Sequence, residues 1–340
     1  MHRCLDLALQ AAGNVAPNPM VGAVLVHGGR IIGEGYHCVF GGPHAEVNCI
    51  NSVLESDRHL IRASSLYVSL EPCAHYGKTP PCADLIIKYQ IKKVIIGCRD
   101  PFPEVNGKGI EKLRAAGVDV TVGVLEQECR NINKRFFTFH TKHRPYIILK
   151  WAETADKKIG NAGDNRLLIT NEITNRTVHK WRSEEATVMA GTNTVMLDDP
   201  QLTNRLWHGH QPVRVVIDMD LRLPTSLRVF DGSVRTIVFN ALKHEENDSL
   251  LFYQVTRDVN LVHQIIHGLY QLKILSVMIE GGARLIQSFI DDGMWDEVRI
   301  LTNTKLVYGE GGILSPILED AKLHNEFLID DDLVRIYHPR

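Results

Sequence analysis

The sequence predicts an α/β protein of two domains, and three observations carry that reading. Its 340 residues are about twice the ~150 of one ordinary domain. Short apolar runs alternate along the chain with segments of helical spacing, the rhythm of a sheet covered by helices. A basic, poorly patterned stretch, Thr141-Lys142-His143-Arg144-Pro145, interrupts that rhythm, and sets the domains at 1–142 and 143–340.

In the first domain, Met1 to Ala12 has helical spacing. Val21 to Val26 and Ile31 to Tyr36 read as strands around the turn His27-Gly28-Gly29-Arg30. The pattern then switches. Ala45 to Leu54 is a predicted helix, Ser65 to Leu70 a strand, Cys82 to Tyr89 a helix and Lys93 to Cys98 a strand. Gly107 to Ala116 and Glu126 to Phe139 are two further helices around the strand Val118 to Val122. The second domain repeats the rhythm with strands at Tyr146 to Trp151, Thr187 to Ala190, Val213 to Asp218, Thr236 to Asn240, Ser276 to Ile279 and Glu297 to Leu301, and a helix from Leu285 to Asp291.

Composition excludes several classes. Hydrophobic residues are 44% and charged residues 23%, the balance of a folded globular chain rather than a disordered one. A formal charge of -2 leaves no basic footprint for nucleic acid. Seven cysteines without regular spacing exclude a complete disulfide framework and point to a reducing compartment. The uncharged stretch Leu7 to Gly29 is broken by Gln10, Asn14 and Pro17-Asn18-Pro19, so no membrane span is expected. With no secretory leader pattern at the N-terminus, the expected location is the cytoplasm.

Two clusters in the first domain carry chemistry. His44-Ala45-Glu46 follows Gly41-Gly42-Pro43, a setting suited to a helix N-terminus; residues two apart serve one centre only from a helix's first turn. His244-Glu245-Glu246 and His324-Asn325-Glu326 share the spacing without that setting and read as solvated surface. Glu71-Pro72-Cys73 directly follows an apolar strand, and Pro80-Pro81-Cys82 opens a helix. One His with two Cys is a zinc ligand set that leaves a fourth position for water, which makes the site catalytic; His75 or Cys49 would be needed to close it as a structural site. In the catalytic reading zinc lowers the pKa of its water and Glu46, which is not a ligand, accepts the proton. His-x-Glu followed by two cysteines is the zinc-deaminase signature, here with a longer spacing between the cysteines.

That longer spacing, with Ala16-Pro17-Asn18-Pro19-Met20-Val21-Gly22, Cys73-Ala74-His75-Tyr76-Gly77-Lys78-Thr79-Pro80-Pro81-Cys82 and Arg99-Asp100-Pro101, resembles the deaminase half of the bifunctional deaminase/reductase family of riboflavin biosynthesis. The resemblance implies a cytidine-deaminase-like three-layer α/β/α domain, with Asn18, His37, Lys78, Thr79 and Asp100 as substrate contacts.

In the second domain Glu280-Gly281-Gly282-Ala283-Arg284 links a strand to a helix, a candidate phosphate cradle that is equally ordinary strand-to-helix punctuation. Tyr146 to Asp156, Trp181-Arg182, Gly191 to Pro200, Leu202-Thr203-Asn204-Arg205 and Glu280-Gly281-Gly282 are similar, in order, to the reductase half of the same family. That likeness implies a dihydrofolate-reductase-like α/β domain using NADPH. Carried over by position, Ala152, Leu168, Thr194, Asp198 and a loop of Gly282, Ala283, Arg284, Leu285, Ile286, Gln287 and Ser288 would bind the cofactor. Lys150, Arg182, Leu202, Arg205 and Glu280 would bind substrate, the two arginines as forks for its phosphate, Lys150 and Glu280 for proton transfer at the ribose carbon. Lys157 stands where many relatives have Gly, which implies a differently shaped turn.

The expected function is deamination of a diamino-ribosylamino-pyrimidinone phosphate with one Zn2+ per chain, then NADPH-dependent reduction of the ribosyl chain to ribityl. The expected partners are that small phosphorylated pyrimidine and further copies of the chain, with no nucleic acid and no membrane. The alternatives are a nucleoside or nucleobase zinc deaminase with an accessory domain, and a catalytically silent, zinc-stabilised ligand-binding protein. Retention of Glu46 speaks against the silent reading, since holding zinc does not need it.

Overall fold

The computed structural model describes residues 1–76, 80–160 and 167–340. The chain divides into two compact units, Met1–His143 and Arg144–Arg340. Among the described residues no helix is long and apolar enough to cross a membrane.

The first unit runs α1 (His2–Leu9), β1 (Gly22–His27), β2 (Arg30–Tyr36), α2 (Ala45–Asn51), a 3-10 helix (Glu55–Ala63), β3 (Ser65–Leu70), α3 (Cys82–Lys88), β4 (Lys93–Cys98), α4 (Lys108–Ala115), β5 (Asp119–Val122), α5 (Glu126–Ile132) and α6 (Lys134–Lys142). Its five strands lie in the order β2-β1-β3-β4-β5. β1 is antiparallel to both neighbours, and β3, β4 and β5 are parallel. Residues of α2, α3 and α4 (Ile50, Ile86, Leu113) bury one face against Leu25, Leu66 and Ile96, while Cys4 and Leu7 of α1 cover Val24 on the other. The result is three layers. α2 lies almost on the sheet, because a Cβ at Gly35 would fall 2.8 Å from the Cβ of Asn48; that close approach fixes where the start of α2 points.

One expectation needs correction here. The predicted helix Glu126 to Phe139 is two helices broken at Asn133 (φ -106, ψ 21). The buried Asn133 side chain acts as a surrogate backbone, accepting from Met20 N and donating to Met20 O at 2.8 Å each, and periodicity does not register that tie. The basic, poorly patterned stretch 141–145 begins inside α6, which stops where His143 turns left-handed (φ 52).

The second unit continues with β6 (Tyr146–Glu153), β7 (Lys158–Gly160), α7 (Glu172–Glu184), β8 (Thr187–Gly191), α8 (Thr192–Asp198), β9 (Val213–Ile217), a 3-10 turn (Arg228–Phe230), β10 (Thr236–Asn240), β11 (Glu245–Glu246), β12 (Leu250–Gln254), α9 (Leu261–Gln271), β13 (Ser276–Ile279), α10 (Ala283–Asp291), β14 (Glu297–Asn303), β15 (Ile313–Leu314), β16 (Ala321–Ile329) and β17 (Asp332–Pro339). Ten strands form one sheet in the order β11-β12-β10-β9-β8-β13-β6-β14-β17-β16, and β7 pairs with β15 apart from it. The strands from β12 to β14 in that order are parallel, with antiparallel pairs only at the two ends. Both faces are covered, as a parallel sheet requires. Ile147, Leu149 and Trp151 face α9 and α10, whereas Tyr146 and Ile148 face α7 and α8.

Lys157 does not reshape its turn in the way expected. It adopts the left-handed conformation itself (φ 63), with its Nζ 2.5 Å from the buried Glu153 carboxylate. The lysine takes the backbone that a glycine adopts more cheaply.

Candidate active sites

In the first unit, His44 is the N-cap residue of α2 (φ -71, ψ 164) and Glu46 lies in that helix's first turn. Cys73 follows β3, and Cys82 is the first residue of α3. The Cys82 backbone N–H donates to Cys73 Sγ at 3.3 Å, so the start of α3 both carries one sulfur and holds the other. His44 Nδ1 lies 3.6 Å from Cys73 Sγ and 3.3 Å from Cys82 Sγ. A tetrahedral zinc, with bonds of about 2.3 Å to sulfur and about 2.0 Å to nitrogen, has N···S edges of roughly 3.5 Å. The donor set therefore fits zinc in type and size. Among the described residues His44, Cys73 and Cys82 form this cluster without His75 or Cys49, which leaves the fourth position open.

The electrostatics suit a metal and a proton carrier. Hydrogen bonds from Cys82 and His44 hold the Cys73 thiol well below its ordinary range despite burial. Glu46 is 3% exposed, and burial, then the nearby Cys73 charge, raises its carboxyl pKa. Beside His44, at 5.5 Å between ring centroids, stands His37. Its Nδ1 donates to Pro43 O at 3.0 Å, since a carbonyl only accepts, and its Nε2 thereby accepts from Asn18 Nδ2 at 3.1 Å. Burial lowers the His37 pKa and keeps that neutral form. Asp100 is pushed up to about 7, chiefly by burial and further by the charges of Glu71 and Cys73, against the N–H of Phe102.

The structure thus brings Asn18 and His37 to the metal ligands and Asp100 into their field. Lys78 and Thr79 lie outside the described residues.

One residue of the motif has a role that the sequence did not disclose. The buried Glu71 accepts four backbone N–H bonds, from Asp100 (3.3 Å) and Gly107 (2.9 Å) at Oε2 and from Gly109 (3.0 Å) and Ile110 (3.2 Å) at Oε1. It hangs the loop that carries Asp100 beneath Pro72 and Cys73. The available signal was an acid placed between an apolar strand and Pro-Cys.

In the second unit, Lys150 in the middle of β6 and Glu280 just after β13 lie side by side, Lys150 Nζ being 3.6 Å from Glu280 Oε2. Arg182 of α7 grips the same carboxylate with Nε at 2.6 Å and Nη2 at 2.7 Å. Burial works to raise the Glu280 pKa, and the charges of Arg182 and Lys150 override it, holding the group down to about 2. The third Arg182 nitrogen donates to Thr203 O at 2.9 Å, and Arg205 N donates to His179 Nδ1 at 3.0 Å. Leu202, buried and left-handed (φ 51), begins this loop. The cluster stands at the carboxyl ends of parallel strands, where ligands of open α/β sheets bind.

The Arg182 fork engages Glu280 and Thr203 as well as facing the site, and these bonds take three of its five N–H groups. The expected cofactor loop of 282–288 requires a correction, since Ala283 to Ser288 belong to α10. Ile286 is fully buried in the core, Gln287 exchanges hydrogen bonds with the Ile317 backbone, and Ser288 Oγ donates to Leu285 O. Only the turn and first turn of the helix offer backbone N–H groups outward. The N–H groups there are the kind of donors that a dinucleotide phosphate takes. A Cβ on Gly281 would fall 2.7 Å from Thr194 Cγ2, Gly282 is left-handed (φ 67), and Arg284 is exposed on the first turn. Ala152 lies two residues beyond Lys150 on β6, Asp198 closes α8, and Leu168 is exposed.

Comparison with known proteins bears on both units. Residues 1–98 match the cytidine and deoxycytidylate deaminase zinc-binding region, and residues 145–326 match the RibD C-terminal domain. The riboflavin biosynthesis protein RibD of Aquifex aeolicus is 41% identical over 92% of this chain and 87% of its own length. The chain belongs to the RibD family. Among solved structures, a Thermotoga maritima diaminohydroxyphosphoribosylaminopyrimidine deaminase/5-amino-6-(5-phosphoribosylamino)uracil reductase is 39% identical with a TM-score of 0.89, covering 100% of this chain and 97% of that one. Acinetobacter baumannii RibD is 30% identical, with the same coverage and a TM-score of 0.90. As a RibD protein the chain joins a zinc-binding deaminase domain to an NADPH-using reductase domain in riboflavin biosynthesis. The RibD C-terminal domain makes the second unit a reductase, which closes the alternative of an accessory domain.

Proposed function

We propose that 1–142 hydrolyses one amine from the diamino-ribosylamino-pyrimidinone phosphate, and that 143–340 then reduces the ribosyl chain of the product to ribityl. The observation that carries this reading is the convergence of three ligand atoms, from His44, Cys73 and Cys82, beside a buried carboxylate, Glu46, that is not one of them. Zinc bound there supplies a water activated at neutral pH. Glu46 takes a proton from the attacking water and gives it to the leaving nitrogen, so that the amine departs as ammonia and the ring carbon gains the oxygen. Asn18, His37 and Asp100 hold the pyrimidine and its ribosyl chain, with Lys78 and Thr79 as further contacts.

In the reductase, NADPH supplies the hydride when bound. Thr194, Asp198, Ala152, Leu168, Gly282, Ala283, Arg284 and Leu285 are assigned to its binding. Lys150 Nζ holds the proton delivered when the ribose carbon accepts hydride, and Glu280 keeps that ammonium charged and in place. Arg205 and the backbone around Leu202 face the substrate, with Arg205 on its phosphate, and Arg182 contributes by fixing Glu280 and Thr203. We also place the protein in the cytoplasm and infer a homo-oligomer. The long edge strand β16, with Leu323, Phe327 and Leu328 exposed, favours self-association, which light scattering tests.

The deciding experiment supplies the diamino substrate to zinc-loaded protein with and without NADPH, and follows ammonia, absorbance at the nicotinamide band and product mass. Ammonia release in both arms and a further gain of two hydrogens only with NADPH are expected. Deamination alone in the presence of NADPH would remove the reductase assignment.

A further inference from the structure

The loop that carries Arg205 is held from several sides. Arg214, fully buried on β9, donates through Nε to Gln201 O at 2.8 Å. Arg182 holds Thr203 O. Gln211 accepts from Asn204 N at 2.8 Å and donates back to Asn204 O at 2.5 Å. The last fastening is His179, whose Nδ1 accepts the Arg205 N–H at 3.0 Å. His179 and Arg182 are three residues apart on α7 and so share one helix face, from which they hold two backbone groups of the loop.

We infer that His179 is a positioning residue of the reductase, which through its unprotonated Nδ1 fixes the backbone of Arg205 and thereby the direction in which that guanidinium meets the substrate phosphate. The inference rests on the proposed role of Arg205. His179 is 4% exposed and so held in place by the packing of α7, while Arg205 itself is exposed, so losing the acceptor frees the Arg205 backbone to turn away from the direction that this bond sets. The bond exists only while Nδ1 is unprotonated, and the surroundings enforce that state. Burial first, then the cations Arg182 on its own helix, Arg205 on the loop and Lys150 on β6, hold its pKa down to about 4 against the opposing charge of Glu280. A histidine here remains an acceptor through the whole physiological range, while its Nε2 keeps the proton.

The test uses the full chain and steady-state reduction of the deaminated substrate. His179→Leu should raise the KM for that substrate about tenfold, leaving kcat and the KM for NADPH within about twofold. His179→Asn places an amide oxygen where Nδ1 stood, and should recover most of that loss. Between about pH 6 and about pH 4 the wild-type KM should rise more steeply than that of His179→Asn, since the amide does not titrate there. Superimposable pH profiles, or failure of Asn to recover what Leu loses, would overturn the inference even if the Leu variant folds poorly. Arg205→Ala separates the two layers of argument. If it raises the KM and His179→Leu does not, the phosphate contact stands and the positioning role is refuted. If His179→Leu raises the KM and Arg205→Ala does not, the histidine orders the loop and the phosphate contact is refuted.

Discussion

The two centres are assembled in opposite ways. In the deaminase unit the ligand atoms come from short segments at the starts of helices, with His44 capping α2 and Cys82 opening α3, and one further sulfur is held by that second helix's own N–H. In the reductase unit the central charges come from three segments far apart in the sequence, Lys150 on β6, Arg182 in the last turn of α7 and Glu280 just after β13, and meet because the parallel strands set their register. A centre built at helix starts leaves its pattern in a few adjacent residues; a centre built across a sheet exists only once the sheet has formed. The first depends on an added metal, the second on internal ion pairs.

The largest expected effects test whether the centres are independent. Glu46→Gln should lower ammonia release by at least about a hundredfold, the ordinary worth of a general acid–base group. Zinc should stay at one per chain, and reduction of pre-deaminated substrate should be unchanged. Lys150→Ala should show the reverse, with NADPH oxidation lost and ammonia release intact. Ammonia release that survives Glu46→Gln would remove the proton-transfer role; equal loss of both activities in either variant would contradict two separate centres.

The ion pairs of the reductase predict the next effect, which is on stability. Glu280→Gln leaves Arg182 and Lys150 as buried cations without their shared carboxylate, a loss of about 3–5 kcal/mol by analogy with other broken buried pairs. Acid should do the same by degrees. The Glu280 pKa is about 2 in the folded chain against an ordinary 4.5, so its contribution is complete above the ordinary value and is lost as pH falls through the folded one. Denaturant midpoints for wild type and Glu280→Gln should converge between about pH 4.5 and about pH 2. A constant gap between them across that range would show that the carboxylate is not the stabilising partner.

The same contrast governs what the sequence alone discloses. The strands Ser65–Leu70, Lys93–Cys98, Thr236–Asn240 and Ser276–Ile279 stand where apolar runs place them, because a strand buried on both faces has a continuous apolar signature. The edge pair β16 and β17 had no such signature, since β16 is exposed along most of its length. Asn133 broke a helix through a bond to Met20, a partner more than a hundred positions away. The metal cluster was legible from residue type and setting. The reductase residues were legible only through family resemblance, and even then the engagement of Arg182 with Glu280 was hidden, because a fork aimed at a carboxylate and one aimed at a phosphate are the same letter in the sequence.

Glu71 blurs the contrast and yields the smallest of these predictions. It sits inside the cysteine motif, yet its partners, Asp100, Gly107, Gly109 and Ile110, come from a loop and helix far along the chain, so the deaminase centre has a non-local scaffold as well. Four N–H donors need two acceptor oxygens. Glu71→Gln supplies one oxygen and turns an amide NH2 towards two N–H groups, which lose their acceptor and meet a donor. Each hydrogen bond to a charged group contributes about 1.5–3 kcal/mol, part of which relaxation of the Asp100 loop recovers, so a net loss of about 2 kcal/mol is expected. For a unit of this size that is a fall of several degrees in the first unit's melting temperature. Ammonia release should weaken through the KM of the substrate that Asp100 is proposed to contact, while zinc remains bound and reduction is untouched. If Glu71→Gln instead lost zinc while its melting temperature held, Glu71 would belong with the metal site and the scaffold reading would fail.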